Sequence, residues 1–137
     1  MSLVVDASVA VKWVVEEHGR PAARLILLGD EELVAPEFLL VEASNVLRSK
    51  VMRGQFPEED TTAAYDTIRS GIDRFVPDEA LASEALELSL RLGHSAYDCV
   101  YLACARQLDA ELITADQKLV GKLRGLPEWS RVRFLTA

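Results

Sequence analysis

Four acidic residues lie where the surrounding chain reads as interior. Asp6 closes the apolar run LVV, Glu42 sits inside FLLVEASNVL, Asp98 opens CVYLACA, and Asp116 follows ELIT. Carboxylates are rarely buried unless they are paired or hold a cation. Two bare carboxylates about 4 Å apart repel by roughly 4 kcal/mol at an effective dielectric near 20. If the four converge, the pocket must either take up protons or hold a cation. Hard oxygen donors without His or Cys select Mg²⁺ or Mn²⁺ over zinc. Such an ion can polarise a phosphodiester and lower the pKa of an attacking water, so phosphodiester hydrolysis is the chemistry the set suits.

Each acid also has a local explanation. Asp6 can accept hydrogen bonds in a strand-to-helix turn, and Glu42 can pair with a neighbouring Arg. Asp98 forms a Ser-x-x-Asp capping pattern with Ser95, and Asp116 can cap the helix that follows it. Only their convergence from four separate segments distinguishes a shared site from four local roles.

The elements that must position them are short. Residues 2–5 read as a buried strand, after which Ser8 caps a helix through about Glu17. Pro21 opens a second helix ending near Gly29, and residues 32–35 form another strand. Pro36 begins a long helix with Phe38, Val41, Leu47 and Val51 at helical spacing. Acids 58–60 start a helix to about Gly71, residues 74–76 are strand, and Pro77-Asp78-Glu79 opens a helix that ends at Gly93. Ser95 caps a helix that is apolar nearly all round and therefore interior. Strand 111–114, helix 116–124 and strand 131–135 complete the chain.

Strands alternating with helices predict an α/β fold, a parallel sheet with helices on both faces, in one domain over residues 1–137. Ligands of such sheets bind outside the carboxyl ends of the strands. Asp6 and Asp116 emerge there, Glu42 lies in the second turn of the helix leaving the second strand, and Asp98 lies in the first turn of the interior helix.

Composition narrows the function classes. A chain of 137 residues, half of them hydrophobic and about a quarter charged, is expected to be globular rather than disordered. No apolar stretch approaches the roughly 20 residues of a membrane span, and no signal peptide is visible, so the cytoplasm is the expected compartment and no membrane partner is expected. Cys99 and Cys104 are five apart in one helix, on different faces, and are expected to be buried thiols. The net charge of −7 opposes phosphate binding unless bases gather locally; Lys12, Arg48, Lys50 and Arg53 could form a basic rim or be solvated helix faces. Trp13 reads first as a core or dimer contact. His18 and His94 have no matching partner and are assigned no catalytic role.

The ordered set LVVDASVAVKW, APEFLLVEASNVL, HSAYDCVYLACA and LITAD resembles PIN-domain ribonucleases, and among them the VapC toxins of toxin–antitoxin pairs. The resemblance spans nearly the whole chain. It implies a three-layer α/β/α sandwich and Asp6, Glu42, Asp98 and Asp116 as catalytic, metal-binding acids for Mg²⁺ or Mn²⁺. Ser8 and Thr114 match hydroxyl residues that support the metal or its waters; helix capping and strand-end hydrogen bonding are their alternatives. It further implies an RNA substrate, a homodimer, and a cognate VapB-type antitoxin through which alone DNA is reached. The antitoxin surface would involve the stretches 42–53 and 61–75, with Val46, Leu47, Val51, Phe56 and Tyr65 offering apolar contact or packing in the core.

Two other readings remain open at this level. A haloacid-dehalogenase-like phosphatase would use an Asp after the first strand as nucleophile, but expects a second Asp where Ser8 stands. A non-catalytic module docking a partner in a repressor complex would leave the acids without a role.

Overall fold

The computed structural model describes residues 1–136. Leu3, Val4 and Val5 are fully buried, and this hydrophobic run forms the central strand β1 (Ser2–Val5). Continuous apolar strands suit a parallel sheet covered on both faces. The sheet is parallel throughout, in the order β3-β2-β1-β4-β5, with β2 at Glu32–Pro36, β3 at Arg74–Val76, β4 at Glu111–Thr114 and β5 at Val132–Phe134. From β1 the chain moves outward to β2 and β3, then returns across β1 to pair β4 on its other side. The direction of winding therefore reverses at β1, where Val5 registers with Ile113 of β4. The carboxyl ends of β1 and β4 flank this reversal, which is where such sheets leave a crevice.

Helices α1 (Ala7–Ala10), α2 (Arg20–Leu27), α3 (Phe38–Met52) and α4 (Thr61–Gly71) form one packed group, linked through a 3-10 turn at Val11–Trp13. Helices α5 (Ala82–Leu92) and α6 (Ala96–Leu108) pack on each other, and α6 lies against β1, β2 and β4. The short α7 (Gln117–Leu123) leads into β5. In α6 every residue from Cys99 to Ala105 is buried, as its all-round apolarity requires, and both cysteines are free thiols. Burial pushes the Cys99 thiol up to about 11 and Cys104 up to about 12, so both are inert.

Two expectations about helices are corrected. The first helix is not capped by Ser8 and does not reach Glu17: Asp6 is its cap, accepting from Val9 N, and the helix ends at Ala10 before the 3-10 turn. The valines crowding this stretch lose rotamer freedom in a helix, and Trp13 is anchored instead by Nε1 donating to Ala23 O at 2.9 Å. In α3 the buried stripe is Leu39, Ala43 and Leu47, whereas Val41 is 68 % exposed. Apolar residues lie on most faces of this helix, so its own sequence does not define which face meets the sheet.

Candidate metal centre

Asp6 leaves the end of β1 and is buried. Its Oδ1 accepts from Ser8 Oγ at 2.5 Å and from Val9 N at 3.3 Å, while Oδ2 accepts from Thr114 Oγ1 at 2.5 Å. Each hydroxyl is used twice. Ser8 Oγ accepts from Ala115 N at 2.9 Å, and Thr114 Oγ1 accepts from Asp116 N at 3.0 Å. These bonds lace the loop after β1 to the loop after β4. Burial pushes the Asp6 carboxyl up to about 6, against the lowering effect of the Ser8, Thr114 and Val9 hydrogen bonds, with the Asp116 charge adding to the rise.

Asp116 caps α7, with Oδ1 accepting from Lys118 N and Leu119 N. Asp98 stands in the first turn of α6, where Ser95 Oγ donates to its Oδ2 at 3.1 Å and also lies 3.3 Å from its backbone N as acceptor. The local capping roles and the shared position thus coexist; a carboxylate has lone pairs enough for both. Between Asp98 and Asp116 stands His94, its Nε2 3.0 Å from Asp98 Oδ2 and 3.8 Å from Asp116 Oδ2. The histidine that the sequence left without a partner is therefore at the site.

Glu42 comes from α3, half-buried, and Tyr101 Oη donates to its Oε1 at 2.5 Å. Burial pushes the Glu42 carboxyl up to about 7; the Tyr101 hydrogen bond opposes this, and the charges of Asp98, Asp6 and Asp116 add to it. All three aspartates act electrostatically on Glu42, so the four segments deliver their acids to one region. Tyr101 had been visible only as part of the interior run CVYLACA. The signal that could have found it is its position three residues beyond Asp98, on the same face of α6. His94 carried a similar clue, four residues before Asp98.

The donor set fits a divalent cation. One ligand atom each of His94, Asp98 and Asp116 lies within 4.8 Å of the others, with Asp6 and Glu42 contributing negative charge that a cation would relieve. One imidazole, that of His94, thus stands among the carboxylates expected from the sequence. Of the basic residues considered as a rim, Lys12 and Lys50 both pair with Glu17, at 3.4 and 3.0 Å. Arg48 instead lines a groove between α3 and α4, about 440 Å³, shared with Leu47, Val51, Met52 and Tyr65. Val46 and Phe56 pack against the core.

The sequence profile of the PIN domain matches residues 3–122. The chain belongs to the PIN-domain family. Its PIN domain is homologous to VapC ribonucleases: Ribonuclease VapC1 of Mycobacterium tuberculosis is 32% identical over 129 residues, covering 90% of this chain and 92% of the relative. The same fold is seen in a crystal structure from Pyrobaculum aerophilum, with a TM-score of 0.71 at 23% identity over 92% of this chain and 82% of that one. It is seen again in VapBC2 of Rickettsia felis, bound to a DNA fragment from their promoter, with a TM-score of 0.69 at 11% identity over 99% of this chain and 100% of that one. Membership of the PIN family sets aside the phosphatase alternative. Among the described residues no helix is long and apolar enough to cross a membrane.

Proposed function

We propose that this VapC homologue is a metal-dependent endoribonuclease and the toxin of a VapBC-type toxin–antitoxin module. The observation that carries the reading is the gathering of Asp6, Glu42, Asp98 and Asp116 at the carboxyl edge of β1 and β4, where the three aspartates add to the rise of the Glu42 carboxyl and Asp116 to that of Asp6. Asp6, Asp98 and Asp116 would hold one or two Mg²⁺ or Mn²⁺ ions. A bound ion supplies Lewis-acid polarisation of the phosphodiester and offsets the charge developing on it. Ser8 and Thr114 hold both oxygens of Asp6, which fixes the direction of its carboxylate. Glu42, pushed up to about 7, is suited to accept a proton from an attacking water near neutral pH.

That the relatives are ribonucleases supports RNA as substrate, and the Rickettsia felis complex supports an antitoxin partner that brings promoter DNA. We assign the antitoxin to the groove of Leu47, Val51, Met52 and Tyr65 between α3 and α4, and retain the homodimer and the cytoplasm from the family resemblance. A docking module without catalysis would have no use for acids held at this cost.

The test is RNA cleavage by the purified protein with Mg²⁺ or Mn²⁺, with chelator, and in Asp98→Asn. Cleavage should require the ion and fall by at least about a hundredfold in the variant, with the melting transition retained. Full cleavage by Asp98→Asn in the presence of chelator would overturn the reading.

A further inference from the structure

We propose that His94 supplies a nitrogen ligand to the divalent ion of this site, making the donor set mixed imidazole and carboxylate. The inference rests on the metal-dependent reading above and extends it to a residue outside the acid quartet.

The His94 side chain is only 9 % exposed, and its Nε2 is buried without a hydrogen-bond partner among the described residues. It lies 3.0 Å from Asp98 Oδ2, yet not in hydrogen-bonding geometry. A buried nitrogen held against two carboxylates without a hydrogen bond to either calls for a reason. The space it faces is bounded by Asp98 and Asp116, whose oxygens lie with Nε2 inside a 4.8 Å cluster. Ligands about 2.1 Å from an octahedral ion lie about 3 to 4 Å from one another, so small side-chain adjustments close this cluster around one ion.

The backbone that carries the imidazole is held in place. Gly93 ends α5 in the left-handed conformation at φ 65°, and its carbonyl accepts from Lys122 Nζ of α7. The His94 carbonyl accepts from Ser89 Oγ at 2.6 Å. The corner between α5 and α6 is thereby tied on both sides of the ligand candidate, with Ser95 capping α6 immediately after it.

An imidazole nitrogen adds more to the binding of a transition-series ion than to that of Mg²⁺, which prefers oxygen and retains its waters. His94→Gln should therefore weaken Mn²⁺ binding by about tenfold or more while changing Mg²⁺ binding by less than about threefold.

The experiment is pulsed electron paramagnetic resonance of Mn²⁺ bound to the full chain, with Mn²⁺ and Mg²⁺ affinities from titration calorimetry. We expect ¹⁴N modulation from a coordinated imidazole in the unsubstituted protein and its loss in His94→Gln. His94→Asn serves as a second variant, and circular dichroism checks that each remains folded. Bound Mn²⁺ without nitrogen modulation would overturn the role of His94 while leaving the nuclease reading standing, as would modulation that persists in both folded variants. Failure of the unsubstituted protein to bind Mn²⁺ or Mg²⁺ at all would overturn both.

Discussion

Tyr101 Oη donates a 2.5 Å hydrogen bond to Glu42 Oε1, joining α6 to α3 across 59 residues of sequence. Tyr101 is buried, and burial with the Glu42 charge raises its phenol well above its ordinary value, so it remains a donor at accessible pH. Its ring is flanked by Phe38, at 6.4 Å between centroids. The acid of α3 is therefore aimed by a residue of the core.

Tyr101→Phe should keep the fold and lower RNA cleavage at neutral pH by about tenfold. The lost hydrogen bond opposes the rise of the Glu42 carboxyl, so its removal pushes that group further up from about 7. The acid limb of the pH–rate profile should move to higher pH. An unmoved limb would separate Glu42 from the proton transfer.

The metal-free protein should lose stability as pH rises through the range in which Asp6 and Glu42 ionise. Their folded values, about 6 and about 7, lie above the ordinary 3.8 and 4.5. Between those limits the unfolded chain gives up its protons first, so the folded state binds more protons and stability falls with pH. A divalent ion should reverse this. Melting temperatures with chelator and with Mn²⁺, at about pH 5 and about pH 8, should show the larger ion-dependent gain at the higher pH. Asp6→Asn should flatten the metal-free slope.

Thr114→Val removes both the donor to Asp6 Oδ2 and the acceptor for Asp116 N at a fully buried position. Stability should fall by about 1–3 kcal/mol, and cleavage should fall with it. Thr114→Ser keeps the hydroxyl and should restore most of the cleavage. Denaturant unfolding and single-turnover assays on the two variants would measure both effects.

Gly71→Ala should destabilise by overpacking against Trp13 and Leu27. A Cβ there would come 2.7 Å from Trp13 Cζ3 and 2.8 Å from Leu27 Cδ1. The leucine end can turn aside, but Trp13 is buried and bonded to Ala23 O. The expected cost is about 1–3 kcal/mol in denaturant unfolding, with metal affinity of the folded protein unchanged.

The alternation of elements was legible because each strand or helix announces itself over a few residues. LVV, ELVA and ELIT became β1, β2 and β4; Ser95 caps α6 through its hydroxyl, and Gly93 ends α5 through the left-handed backbone that glycine tolerates. The four acids were legible because an acid inside an apolar run is conspicuous without any structure. The phase of α3 was not, since several of its faces are apolar and only contact with β2 and α1 selects Leu39, Ala43 and Leu47.

By itself, then, the chain determined the α/β order of its elements and the identity of its acids, both consequences of local pattern and side-chain polarity. Tertiary structure decided which other groups attend those acids: Thr114 at Asp6 across 108 residues, Tyr101 at Glu42, and His94 turned between Asp98 and Asp116. Such partners are chosen by where strand ends and helix faces meet. A hydroxyl, a phenol or an imidazole looks ordinary in sequence, and only packing brings it within reach of a charge.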